Sequence, residues 1–167
     1  MRQLTVWDDT SRRGGACFVA GTKVHSEAGL QRIEELRPGD RVLSQNLASG
    51  ELAYKLVLYV SRTNFSDLRR IKIGNEEIVA TPGHPVWVNG FGWKMAKELQ
   101  VGEPVHTLQG AQKVTENAGP LKPDTVYNLI VADFNNYFVG EAGTLVHDLP
   151  YRQPTLATVP GLVQTGR

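Results

Sequence analysis

The sequence predicts an all-β fold built on an internal duplication. Three observations lead there: strand signals are short and frequent, turn-forming residues separate them at close intervals, and a pattern running from Gly29 to Val42 recurs from Gly92 to Val105.

The strand signals begin directly after Cys17, the only cysteine, in Cys17-Phe18-Val19-Ala20-Gly21-Thr22. Runs rich in Val, Ile, Leu and aromatic residues then follow at 22–25 (TKVH), 40–44 (DRVLS), 55–60 (KLVLYV), 68–73 (LRRIKI), 77–80 (EIVA), 85–88 (PVWV), 105–108 (VHTL), 126–131 (VYNLIV) and 137–139 (YFV). Each has the composition of a half-buried pleated surface. Ser49-Gly50, Gly74-Asn75, Pro82-Gly83, Asn89-Gly90, Gln109-Gly110 and the stretch 133–136 supply the turns between them. A helical period is sustained for one turn at Leu30–Leu36 and one at Trp93–Leu99, and nowhere longer.

Those two turns sit inside the duplication. Gly29 to Val42 aligns without gaps on Gly92 to Val105 at an offset of 63, sharing G-x-x-x-x-x-E-L-x-x-G-[DE]-x-V; continued backwards, the alignment sets Val24 beside Trp87. One repetition is too few for a solenoid and predicts two related halves about a pseudo-twofold axis. Residues 1–16 read as a leader and 149–167, with prolines at 150, 154 and 160, as a second flank, leaving a core of 17–148.

A chain of 167 residues is long enough for one domain with a substantial core. Eighteen Lys and Arg against 17 Asp and Glu leave a formal charge of +1, which removes the electrostatic argument for a nucleic-acid partner. Arg12, Arg13, Arg69 and Arg70 are read as solvated. One cysteine excludes an intramolecular disulfide and a cysteine-rich zinc site. No apolar run has the length of a membrane span, and residues 1–16 lack the apolar run of a signal peptide. The expectation is a monomer without cofactor, metal, nucleic acid or membrane. The compartment is not encoded, although a parent protein could be secreted or held at a cell surface.

The chemistry-bearing residues are Cys17 and four histidines. His84 stands at a Pro-Gly turn in Thr81-Pro82-Gly83-His84-Pro85, and His147 in Leu145-Val146-His147-Asp148, where strand-like sequence gives way to the proline-bearing flank. His25 and His106 lie within strands among polar neighbours and read as structural. A metal held by Cys17, His84 and His147 is conceivable, but ligands gathered from distant loops fit a catalytic cluster equally well.

Taken together, Cys17 at a leader boundary before Phe-Val-Ala-Gly-Thr, Thr81 to Pro85, Val126-Tyr127-Asn128-Leu129 followed by Tyr137-Phe138-Val139, and a closing Val146-His147 resemble the Hint (hedgehog/intein) superfamily of self-processing domains. Within it the chain is most similar to bacterial intein-like and pre-toxin Hint domains, over residues 17–148. The resemblance implies a β horseshoe whose ends bring Cys17 and the His147 region into one site. It implies an N-to-S acyl shift in which the Cys17 thiolate attacks the Ala16 carbonyl, with the chain's own flanks as substrate and water or an external thiol as acyl acceptor. His84 would protonate the leaving amide nitrogen, a service worth about 10²- to 10⁴-fold. Thr81 would orient the scissile peptide. An ordinary thiol, with pKa about 8.5, needs help to supply thiolate.

The carboxyl-terminal side departs from the family pattern. Self-splicing relatives end in His-Asn before Cys, Ser or Thr, whereas here His147-Asp148-Leu149 offers neither a side-chain amide to cyclise nor a downstream nucleophile. Cleavage after Asp148 is therefore expected to be weak or absent. Asn135 stands near a position where many relatives carry histidine, and Asn128 where aspartate is frequent; with Asp133 these are the candidate assistants. Two other readings stay open: a trans-acting Cys-His hydrolase, and a Hint fold that has lost activity and serves as a linker or presentation module in a secreted toxin-type protein.

Overall fold

The computed structural model describes residues 16–65 and 67–148. Fourteen strands follow one another: β1 (Phe18–Val19), β2 (Lys23–Ser26), β3 (Gly29–Arg32), β4 (Arg41–Gln45), β5 (Leu52–Phe65), β6 (Leu68–Ile73), β7 (Glu76–Ala80), β8 (Pro85–Val88), β9 (Gly92–Met95), β10 (Pro104–Thr107), β11 (Gly110–Leu121), β12 (Asp124–Val131), β13 (Asn136–Val139) and β14 (Thr144–His147). They hydrogen-bond in the order β10-β11-β6-β7-β1-β12-β5-β4-β2-β13-β14-β8-β9, with β3 on β2. Thr107 of β10 also pairs with Thr144 of β14, and Val105 with Val88, so the sheet curls until its two ends meet. This is an all-β horseshoe, closed around a main core that includes Val24, Ile33, Val42, Val57, Leu99, Val105, Val114, Leu129 and Val139.

The duplicated sequence pattern has a physical basis. In each copy a three-residue 3-10 turn, Ile33–Glu35 or Ala96–Glu98, drops one buried leucine into the core, Leu36 or Leu99. The next turn is closed by Asp40 N–H to the Arg37 carbonyl at 3.0 Å, and in the second copy by Glu103 N–H to Gln100 at 3.1 Å. The acidic side chain caps the same turn, Asp40 Oδ2 accepting from Arg37 N–H at 2.9 Å and Glu103 Oε1 from Gln100 N–H at 2.8 Å. The shared glycine adopts φ 99° at Gly39 and 96° at Gly102, a left-handed backbone that a Cβ disfavours. Its N–H donates to Val57 in one copy and to Val114 in the other.

Three expectations need correction. Residues 29–32 and 92–95 are strands, and the helical segments shrink to the 3-10 turns that follow, because each strand pairs with the one before it. Val24 corresponds to Val86 and not to Trp87, since the β8–β9 turn holds Asn89, Gly90 and Phe91 where the β2–β3 turn holds only Glu27 and Ala28. A slip of one residue turns a strand face over, so Trp87 faces outward and stacks edge-on against Trp93 at 5.1 Å. Arg69 and Arg70 are not simply solvated: on β6 they bond across to Asn117 at 3.1 Å and Glu116 at 3.3 Å.

Candidate active site

Closure of the sheet brings β1, β7, β12 and β14 to one place. Phe18 pairs with Ala80 of β7 on one side and Tyr127 of β12 on the other, so the peptide in front of it is gripped between two strands. The Cys17 N–H donates to Thr81 Oγ1 at 3.0 Å, and the Cys17 carbonyl accepts from Thr81 N–H at 2.9 Å. On the opposite edge the Ala16 carbonyl accepts from Asn128 Nδ2. Both polar atoms of the Ala16–Cys17 peptide are thus held, within residues that are themselves fully buried.

Asn128 is fixed in turn. Its Oδ1 accepts from Leu129 N–H at 2.7 Å and from the Tyr137 hydroxyl at 2.5 Å, and its own N–H donates to Ser61 Oγ at 3.1 Å. Burial pushes the Cys17 thiol up to about 12, with the Ser61 hydroxyl pulling the other way. At neutral pH the sulfur is a protonated thiol.

His84 is enclosed between the two junctions. Its ring lies 4.0 Å from that of Phe18, and Nε2 donates to the His147 carbonyl at 2.9 Å. Nδ1 is then left as a bare acceptor, buried and without a hydrogen-bond partner among the described residues. Burial lowers the His84 pKa to about 3, against the opposing pull of the His147 and Cys17 backbones. The ring is therefore neutral and can give a proton only after receiving one.

At the other junction Asp148 is buried and fully engaged. Oδ2 accepts from Val131 N–H at 2.9 Å and from Asn135 Nδ2 at 3.3 Å, Oδ1 stands 3.1 Å from His147 Nδ1, and the Asp148 N–H donates to the Asn135 carbonyl at 3.0 Å. Burial lowers the His147 pKa, but the Asp148 carboxylate overrides it and the net shift is upward. Trp93 packs edge-on against the His147 ring at 5.0 Å.

Of the residues singled out in the sequence, Ala16, Cys17, Thr81, His84, Asn128, Asn135, His147 and Asp148 converge. Asp133 does not: it is exposed in the β12–β13 turn, at φ 68°, and pairs with Lys55 at 3.0 Å. Leu149 lies outside the described residues. His25 and His106 are structural, bonded to the Gly140 carbonyl and to Gln45. Sequence reasoning passed over Ser61 and Tyr137. A tyrosine at the head of the run Tyr137-Phe138-Val139 was the available signal, since a buried hydroxyl needs a partner.

A closed β horseshoe with two chain junctions drawn together defines a domain of the intein-like Hint class. Over 78% of its length the chain matches the solution structure of a bacterial intein-like domain from Clostridium thermocellum, covering 97% of that chain at 37% identity with a TM-score of 0.74. A DnaB intein from Synechocystis sp. PCC 6803 shares the fold at 17% identity and a TM-score of 0.70, over 80% of this chain and 98% of its own. The model of the pretoxin Hint domain matches residues 23–149, and the chain belongs to that family. The matched span takes in Thr81, His84, Asn128, His147 and Asp148 and begins beyond Cys17. Among curated proteins, the β subunit of ribonucleoside-diphosphate reductase from Aquifex aeolicus is 33% identical over 100 residues, 58% of this chain; the chain spans only 14% of that protein.

Proposed function

We propose that the domain cleaves its own chain at the Ala16–Cys17 bond by an N-to-S acyl shift, with residues 1–16 and 149–167 as flanks. The observation that carries this reading is the double grip on that peptide, Thr81 Oγ1 at its nitrogen and Asn128 Nδ2 at its carbonyl oxygen. A thiol beside its own preceding carbonyl reacts intramolecularly, an advantage of up to about 7 to 11 kcal/mol.

The proton inventory sets the order of steps. His84 Nδ1 takes the thiol proton as Sγ bonds to the Ala16 carbonyl carbon, and the carbonyl oxygen gains charge facing Asn128. When the C–N bond breaks, Nδ1 returns the proton to the Cys17 nitrogen, leaving a thioester and a free amine. Water or an external thiol then releases the amino-terminal flank. His84 is thus not a standing acid: the neutral ring must take the proton before it can return it, and proton transfer is concerted with C–S bond formation, because free thiolate and imidazolium are both disfavoured by burial.

Scission after Asp148 is weak in this reading. A buried carboxylate anchored by Val131, Asn135 and His147 is a poor nucleophile toward its own carbonyl. The enclosure of Ala16 and Cys17 by their own chain favours self-cleavage over a trans-acting hydrolase, which needs an open cleft. Dithiothreitol treatment of the full chain, followed by intact mass, tests the proposal. Release of residues 1–16, absent in Cys17→Ala, is expected; equal scission in the two proteins overturns the acyl shift at Cys17, and none in either leaves the inactive linker as the better reading.

A further inference from the structure

The amide of Asn128 faces the Ala16 carbonyl for a reason that lies on another strand. An asparagine side chain has two ends of nearly the same shape, so its partners decide which end points where. At Asn128 the decision is unambiguous: Leu129 N–H can only donate, and it lies 2.7 Å from Oδ1. The Tyr137 hydroxyl occupies the other lone pair at 2.5 Å. With both acceptor sites filled, the Nδ2 end is the one turned to the scissile carbonyl.

We infer that Tyr137 is a positioning residue for amino-terminal cleavage, holding Asn128 as a neutral hydrogen-bond donor aimed at the oxyanion that forms on Ala16. This rests on the proposed attack of Cys17 on Ala16. Tyr137 is fully buried in β13, beside the junction that carries Asp148, and its ring meets Phe18 edge-on at 6.4 Å. It donates to Asn128 from β13, the hairpin partner of the strand β14 that runs into the carboxyl-terminal junction, so that hairpin orients the group that serves the amino-terminal one. A hydrogen bond into Oδ1 draws charge from the amide and sharpens Nδ2 as a donor. A donor fixed before reaction needs no reorganisation as charge develops, and losing one such donor costs about 10²- to 10³-fold in rate. As an amide Asn128 donates whatever the pH, whereas an aspartate at this position could donate to the oxyanion only when protonated.

The test has two arms on the full chain. In the first, thioester formation is captured with saturating hydroxylamine. Asn128→Ala is expected to slow capture by about 10²- to 10³-fold, Tyr137→Phe by about tenfold, and the double variant no more than Asn128→Ala alone. Multiplying losses in the double variant, or an unchanged rate in Tyr137→Phe, would overturn the inference. The second arm uses the unreactive Cys17→Ala chain and follows the Ala16 carbonyl carbon and the Asn128 side-chain amide by NMR. Tyr137→Phe is expected to shift both; two unmoved signals overturn the positioning role. If the unaltered chain forms no hydroxamate, self-cleavage fails as a reading while the NMR arm still decides the geometry.

Discussion

His84 and Cys17 carry opposite perturbations from one cause. Burial disfavours charge, so it lowers the histidine to about 3 and raises the thiol to about 12. From about pH 5 to about pH 9 the pair is then a neutral ring beside an intact thiol, and the first step is expected to be nearly flat with pH. In His84→Ala the Cys17 thiol must lose its proton to solvent; the rate is expected to fall by about 10²-fold or more and to climb about tenfold per pH unit. Capture rates across that range check both. His147 behaves differently because Asp148 faces it: its pKa is raised above 6.5, so the pair contributes stability in full below 6.5 and loses it as pH rises through the folded value. In Asp148→Asn the His147 pKa is expected to fall relative to the unaltered chain, burial no longer being opposed by the carboxylate charge, and cleavage before Leu149 is expected to increase. NMR titration of His147 and intact mass measure the two effects.

Among the elements, the β13–β14 hairpin does most to bring the junctions together, and its tip is anchored from outside. Both carboxylate oxygens of Glu76 accept backbone N–H groups of the tip, Oε2 from Glu141 and Oε1 from Ala142 at 3.1 Å. Gly140 sits there at φ 79°, and a Cβ would come within 2.6 Å of the Glu76 carboxylate. Gly140→Ala is expected to destabilise the fold by about 1 to 3 kcal/mol in urea unfolding, through backbone strain and loss of the anchor. Leu36→Ala and Leu99→Ala, equivalent in the two halves and equally buried, are each expected to cost about 2 to 5 kcal/mol. Most strands were legible as short apolar runs bounded by turn residues; β11 was not, since Glu116, Asn117, Gly119 and Pro120 break any such run and its partners β10 and β6 impose its conformation. The starts of the two helical turns were misread for the same reason, local period yielding to cross-strand pairing.

At the scale of the whole molecule the candidate site has no existence apart from the closed sheet. Cys17, Thr81, Asn128 and His147 come from four distant stretches, and contacts such as Cys17 to Thr81 span 64 residues. Self-cleavage is accordingly expected to decline in step with global unfolding across a urea titration, and an added peptide spanning Ala16–Cys17 is expected to remain uncut, because the site is filled by the chain's own segment. The sequence by itself determined the all-β class, the duplication and most residues of the candidate site, since strand signals, turn chemistry and residue type are local properties. Only the tertiary structure decided that Asp133 faces solvent, that Asn128 points its amide at the Ala16 carbonyl, and that the Tyr137 hydroxyl donates to Asn128 Oδ1. Side-chain direction depends on partners brought together by strand pairing and ring closure, and those distances are not written at any single position in the chain.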